Sequence, residues 1–280
     1  MKKIVIFGIG KVGKKIISQW NRNDGKIISI IDNAATDTDW NGIAIQTVDK
    51  IGEMQFDEVV IATYSPLHKT HMIQQLHLYG VADEKINLCY CEDISNPRNV
   101  FVRKFAAMVK NYGIKGNCAE AGVFQGDFAK VINQEFYFRY LYLFDTFEGF
   151  SDKDIAFEKA NQYSDVEAGR WSETSMELVE AKMEHREMCK FIKGYFPESA
   201  RGINDKFCFV NLDMDLYQSI YSGLVFFAPL MERGGVIMVH DFYNDIYRGS
   251  RAAVEQWMRE NSRFTITPVG DEESVIITGF

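Results

Sequence analysis

Apolar residues fall along the chain in short blocks, most of them ending on an acid or opening into glycine. Lys3-Ile-Val-Ile-Phe7, Ile27–Ile31 and Val59–Thr63 come first, followed by the block that delivers Glu120 and by Leu141–Asp145. Cys189–Lys193, Phe207–Asp213, Gly235–Asp241, Phe264–Thr267 and Ser274–Thr278 complete the set. Such runs are too short for buried helices and read as strands. Between most of them lie segments of helical period, including one from Gly13 to about Trp20, one carrying His68, His71 and His77, one from about Val100 to Tyr112 and one beginning near Phe128. Strand and helix in alternation predict an α/β fold with doubly wound parallel sheets. The last two blocks are separated only by Pro268–Glu273, too little for a crossover, so they pair as an antiparallel hairpin. The second half therefore forms a seven-stranded sheet with one strand reversed at or near its edge.

Ser95-Asn-Pro-Arg-Asn99 reads as a linker in which Pro97 breaks the preceding strand, dividing the chain into a small Rossmann-like domain, 1–95, and a larger one, 96–280. The small domain opens with Gly8-Ile-Gly10-Lys-Val-Gly13 and closes its second strand on Asp32, the order of a dinucleotide fingerprint. Only about half of a full dinucleotide-binding fold follows, ending near Asp93, with no hydride-transfer acid or base beside it. Weak, nonessential nucleotide binding and a role as an interaction domain both remain open. His68 and His71 share a helical turn and read first as surface histidines, and Cys89-Tyr-Cys91 is too isolated for a metal site.

Asn117–Asp127 organises the larger domain. Its strand delivers Glu120, Gly122 and Gly126 open a tight turn into a helix, and the next strand ends on Asp145, an acid placed to accept ribose hydroxyls. Glu120, Asp145, Asp213 and Asp241 are all strand-end acids, and ligands gather at such ends where the strand order reverses. Asp213-Met-Asp215 and His240-Asp241 end different strands yet can converge; carboxylates with an imidazole suit a divalent cation. The competing reading is that Asp213 and Asp241 cap helices. The polar segment 150–188, with Tyr163 and Trp171, follows the acidic strand end; its Glu and Lys spacing alone means a solvated helix face, and its position makes it a candidate lid.

Five stretches then carry a family likeness: Ala119-Glu-Ala-Gly-Val-Phe-Gln-Gly-Asp-Phe-Ala129, Leu143-Phe-Asp-Thr-Phe-Glu-Gly-Phe150, Lys193-Gly-Tyr-Phe-Pro-Glu198, Leu212-Asp-Met-Asp-Leu-Tyr217 and Gly234-Gly-Val-Ile-Met-Val-His-Asp-Phe242. In this order, from about Val100 to Phe280, they resemble the macrocin O-methyltransferase family. The resemblance implies a class I methyltransferase fold and S-adenosylmethionine- and divalent-metal-dependent methylation of a hydroxyl on a sugar or glycosylated small molecule. It places Glu120, Gly122, Val123 and Gly126 at the methionine end of the cofactor, with Asp213 beside it. Asp145 falls on the ribose with Thr146 and Phe147 as neighbours, and Gly194 near the adenine. It makes Asp213, His240 and Asp241 the ligands of Mg²⁺ or Mn²⁺, and Asp215 the general base. His240 stands where the family usually has Asp, which bears on which metal is preferred. Nothing in the resemblance accounts for residues before Ser95.

Charge narrows the partners: 31 basic against 39 acidic residues leave a net −8, which disfavours nucleic acid. No apolar run is long enough to span a bilayer, and Met1-Lys-Lys leads straight into a strand rather than a signal peptide, so the expected setting is cytoplasmic, with no membrane partner. The five cysteines are odd in number and lack framework spacing, so they read as reduced. Association into a homo-oligomer is left open, and the acceptor is not legible. Two other classes compete: a nucleotide-sugar oxidoreductase using the first glycine motif, and a non-catalytic binding protein.

Overall fold

The computed structural model describes residues 1–88, 96–167 and 169–280; Cys89, Cys91 and the segment end at Asp93 lie outside them. The chain divides by its internal contacts into Met1–Asn96 and Pro97–Phe280.

In the first unit the strands are β1 (Lys3–Phe7), β2 (Lys26–Ile31), β3 (Asp39–Trp40), β4 (Ile43–Gln46), β5 (Glu58–Ile61) and β6 (Ile86–Asn87), with helices α1 (Lys11–Ser18) and α2 (Pro66–Leu78). They form one six-stranded sheet in the order β3-β4-β2-β1-β5-β6. The sheet is larger than the three apolar blocks predict, because β3 and β6 are only two residues long and β4 is half exposed, too little pattern to stand out. The glycine motif closes tightly: a Cβ on Gly13 would lie 1.9 Å from the Gly8 carbonyl oxygen. Asp32 is already engaged in this loop, its Oδ2 accepting from the Ile9 amide at 2.8 Å and its Oδ1 from the Ala34 amide at 2.8 Å. His68 and His71 are exposed on α2, as surface histidines should be.

The second unit contains α3 (Pro97–Tyr112), β7 (Asn117–Ala121), α4 (Asp127–Glu135), β8 (Leu141–Asp145), α5 (Asp152–Ala160) and α6 (Met176–Lys182). After these come β9 (Cys189–Lys193), β10 (Phe207–Leu212), α7 (Tyr217–Phe227), β11 (Met231–Val239), α8 (Arg248–Glu260), β12 (Thr265–Pro268) and β13 (Val275–Thr278). The sheet runs β12-β13-β11-β10-β7-β8-β9. β13 pairs antiparallel with both neighbours, and the other pairings are parallel. The winding changes direction between β7 and β10, which opens a crevice at their carboxyl ends.

Alternate residues of the central strands serve opposite cores. Ala119, Tyr142, Phe144, Val210, Leu212, Ile237 and Val239 pack towards α7 and α8. Cys118, Leu141, Leu143, Phe209, Val236 and Met238 pack towards α3 and α4. α3 buries Val102, Phe105, Ala106 and Val109, a helical stripe. It begins at Pro97, not Val100, so the linker reading of residues 97–99 is corrected. Proline at the first helical position loses only an amide that has no intrahelical partner, and its φ suits the helix. At the sheet edges, β12 is exposed throughout and ends on Pro268, while β9 carries exposed Lys190 and Lys193. Among the described residues no helix is long and apolar enough to cross a membrane.

Phe209 is fully buried, 6.2 Å from the Phe105 ring and stacked 5.6 Å from Phe136. Phe209→Ala should cost about 3–5 kcal/mol of stability in urea titrations, because the lost contacts and the residual cavity add.

Candidate active site

The crevice is held open by a backbone crossing. Gly122 follows β7 with φ +85°, and a Cβ there would stand 2.0 Å from the carbonyl oxygen of Asp213. The ladder continues beside it, Gly122 N–H donating to Phe144 O at 2.9 Å and Asp213 N–H to Ala121 O at 2.8 Å. Only glycine lets the turn after β7 pass the end of β10 this closely. Beyond the crossing lies a cavity of about 520 Å³, of the size that takes a small-molecule ligand.

Glu120, one residue inside the end of β7, is 1% exposed. Its Oε1 accepts from Asn211 Nδ2 at 2.9 Å, while Oε2 has no hydrogen-bond partner among the described residues. Burial, reinforced by nearby Asp213, pushes the carboxyl well above its usual range. A buried acceptor without a donor is costly and points to a cationic or N–H-bearing ligand group.

Asp145, at the end of β8, gathers the loop after Gly122. Its Oδ2 accepts from the amides of Val123 at 2.7 Å and Phe124 at 2.9 Å, and its Oδ1 from the Phe147 amide at 2.7 Å. The acid thus fixes the loop as well as facing the cavity.

Asp213, His240 and Asp241 meet at the ends of β10 and β11. His240 Nδ1 lies 2.9 Å from Asp241 Oδ2 and 3.1 Å from Asp213 Oδ1. Asp213 Oδ2 is ion-paired with Arg98, whose guanidinium also donates to Asn211 Oδ1 at 3.3 Å and lies 3.8 Å from the centre of the Phe128 ring. Asp241 Oδ1 accepts from Asn244 Nδ2 at 2.8 Å. Neither acid caps the following helix: Glu158 Oε1 takes the Tyr217 amide at the start of α7, at 2.8 Å.

The charges of this cluster are set by one another. Burial disfavours the His240 cation, but Asp213 and Asp241 overcome that and raise the imidazole to about 10. Burial likewise opposes ionisation of Asp213, yet Arg98 and His240 hold it well below the carboxylate range. Asp215 moves the other way, raised by burial and by the neighbouring Asp241 and Asp213. Ligand atoms of Asp213, His240 and Asp241 lie within 4.8 Å of one another, and two carboxylates converge on the Nδ1 proton of one imidazole. This donor set fits a divalent cation that replaces the proton.

Segment 150–188 contributes Phe150, Ser151, Asp154, Arg170 and Trp171 to the cavity lining. Trp171 sits edge-on 4.9 Å from Phe124 with Arg170 over its ring at 4.5 Å. Gln125 Nε2 donates to Glu173 O at 2.8 Å, and Thr174 Oγ1 to Phe124 O. Its acids are not all on a solvated face. Glu158 and Asp154 are buried; Asp154 accepts from Tyr195 Oη at 2.7 Å and Ser219 Oγ at 3.0 Å. Phe124, Trp171, Asp215 and Asp241, all lining the cavity, have positive φ, a strain that concentrates at functional sites.

Residues 92–269 match the family described as Macrocin-O-methyltransferase (TylF). The chain belongs to that family. It is therefore an S-adenosylmethionine-dependent O-methyltransferase. Its fold is similar to that of the O-methyltransferase NovP, at 17% identity and a TM-score of 0.55 over 65% of this chain and 79% of NovP. It is also similar to CalS11, a calicheamicin methyltransferase, at 16% identity and a TM-score of 0.52 over 77% of this chain and 87% of CalS11. Residues 1–87 match a family described as C2185-like, N-terminal. No curated protein matches the chain.

In the methyltransferase, Glu120, Gly122, Val123, Asp145, Thr146, Gly194, Asp213, Asp215, His240 and Asp241 all line the one cavity. Gly126 and Phe147 do not. Gly126 caps α4 at φ +80° with Val179 against it, and Phe147 is buried in the core below. Arg98, Asn211 and Asp154 were missed by the motif reading. Arg98 is legible once Pro97 is taken as a helix start, which places a cation in the first turn of α3, opposite the strand-end acids.

Gly122→Ala should lose at least about 2 kcal/mol of stability in urea, from strain and backbone displacement, and weaken S-adenosylhomocysteine in calorimetry. His240 titrates near 6.5 when unperturbed and near 10 here, so its stabilisation is complete below pH 6.5 and lost as pH rises through 10. Urea midpoints of wild type and His240→Gln should therefore converge between pH 7 and 10.5.

Proposed function

We propose that this methyltransferase transfers a methyl group to a hydroxyl of a sugar or glycosylated small molecule, assisted by a divalent cation held by Asp213, His240 and Asp241. The observation that carries the reading is the meeting of three metal-type donors, a third carboxylate in Asp215 and a buried acid, Glu120, with one oxygen unpartnered, in one cavity. The small domain, residues 1–95, is assigned weaker, nonessential nucleotide binding on the strength of its glycine motif.

S-adenosylmethionine supplies an electrophilic methyl on a sulfonium, and a bound cation supplies Lewis acidity to the acceptor oxygen. Glu120 Oε2 is placed for the ammonium of the cofactor's amino-acid end, and Asp145, fixed by three amides, for its ribose. Trp171, Phe150 and Tyr247 line the same cavity and exclude water from the acceptor. Asp215 accepts the hydroxyl proton as the oxygen bonds the methyl carbon and the sulfur–carbon electron pair returns to sulfur. Burial, with crowding by Asp241 and Asp213, raises its basicity, the direction a general base needs. Positioning supplies the larger share, since near-attack geometry is worth about 7–11 kcal/mol. Replacing an acid by imidazole at position 240 removes one negative charge from the donor set and favours Mn²⁺, Fe²⁺, Co²⁺ or Zn²⁺ over Mg²⁺.

The test is methyl transfer from S-adenosylmethionine to a panel of nucleotide sugars and glycosides, read by product mass, with and without chelator. A methylated product that disappears with chelator and returns with Mn²⁺ is expected; chelator-insensitive transfer would remove the cation from the reading. Asp215→Asn should keep Mn²⁺ and S-adenosylhomocysteine affinity while lowering turnover about 10²–10⁴-fold. A matching loss of Mn²⁺ affinity would make Asp215 a ligand instead.

A further inference from the structure

A continuous polar chain links Glu120 to Asp241. Glu120 Oε1 accepts from Asn211 Nδ2 at 2.9 Å, Asn211 Oδ1 accepts from Arg98 Nη2 at 3.3 Å, and Arg98 pairs with Asp213. Asp213 Oδ1 meets His240 Nδ1 at 3.1 Å, and His240 meets Asp241 at 2.9 Å. The cofactor end and the metal-type end are thus joined through one guanidinium. Its side chain is only 12% exposed, and the Phe128 ring against it at 3.8 Å keeps it in the crevice.

Two demands fall on this cation. When no metal is bound Asp213 draws on Arg98 as well as the His240 imidazolium, because a partly buried carboxylate without counter-charge is unfavourable. The cofactor's amino-acid end is a zwitterion, and Glu120 can meet only its ammonium. The remaining carboxylate needs a cationic, fork-shaped donor near Glu120, and Arg98 is close enough to act electrostatically on Glu120. The other cavity-lining arginine, Arg170, is stacked on Trp171 in segment 150–188.

We infer that Arg98 is a shared counter-ion: it neutralises Asp213 in the metal-free protein and turns its guanidinium to the cofactor α-carboxylate when a divalent cation takes Asp213. The inference rests on the reading above of one cavity for cofactor and cation. Its consequence is positive coupling, equal in both directions by linkage: metal tightens the cofactor and the cofactor tightens metal. Arg98 acts here as a positioning residue, bonding to neither the transferred methyl nor the acceptor.

Calorimetry on the full chain tests it, with S-adenosylhomocysteine, Mn²⁺ and 5′-methylthioadenosine, which keeps the nucleoside and sulfur but lacks the amino-acid end. In wild type, Mn²⁺ should tighten S-adenosylhomocysteine by about 5–150-fold and leave 5′-methylthioadenosine unchanged. In Arg98→Met, S-adenosylhomocysteine should bind more weakly and equally with or without Mn²⁺. Mn²⁺ alone should bind this variant more tightly than wild type, because its competitor for Asp213 is gone, an outcome a purely structural role would not produce. Arg98→Lys, which keeps the charge without the fork, should show reduced coupling and covers the case in which Arg98→Met does not fold. If both ligands bind wild type independently, or if 5′-methylthioadenosine responds to Mn²⁺ as strongly as S-adenosylhomocysteine, the shared counter-ion is overturned while the site assignment stands. If S-adenosylhomocysteine or Mn²⁺ fails to bind wild type, the site assignment falls with it.

Discussion

The approach of Gly122 to the Asp213 carbonyl is the constraint on which the larger unit depends. With 2.0 Å between that oxygen and a Cβ placed on Gly122, the turn after β7 must lack a side chain. Glu120 and Asp213 flank this crossing, each held by a neighbour. The distance between cofactor-type and metal-type groups is therefore set by backbone packing at the centre of a seven-stranded sheet, where the core on both faces resists displacement. Loops then decorate a spacing they do not determine.

Charge follows from that spacing. Glu120, Asp145, Asp213, Asp215 and Asp241 face one cavity, and so many carboxylates cannot all ionise in a partly buried place without cations. The chain answers in three ways. Asp145 is surrounded by amides, Asp213 pairs with Arg98 and shares the His240 imidazolium with Asp241, and Glu120 and Asp215 are driven towards their neutral forms. In the proposed function each answer is exchanged for a ligand: a hydroxyl at Asp145, an ammonium at Glu120, a metal at the imidazole.

The strands, the reversed partner β13 and the strand-end acids were legible because buried parallel strands are near-continuous apolar runs and their carboxyl ends are marked by Gly, Asp or Glu. Arg98 was not, because Pro97 has two meanings in sequence, breaker of a strand or first residue of a helix, and only packing of the Val102–Val109 stripe decides between them. Gly126 and Phe147 show what a motif leaves undetermined. Both sit inside recognisable motifs, yet one is a helix cap packed on Val179 and the other a core side chain, so motif membership placed them near the site without placing them in it. The burial of Glu158 was hidden for a related reason: its partners, the Tyr217 amide and Ser164, include one 59 residues away. In the first unit, β3 and β6 are too short to show any period.

The edges of the seven-stranded sheet bear on how this chain survives at high concentration. A free strand edge is a template for intermolecular pairing. On one side β12 presents threonines and ends in Pro268, a residue with no amide to donate, so a visiting strand would find its ladder broken there. On the other side β9 sets Lys190 and Lys193 in solvent, where an identical strand laid against it would bring like charges together. Each edge thus opposes β-sheet polymerisation by a different means, one by a missing donor and one by repulsion.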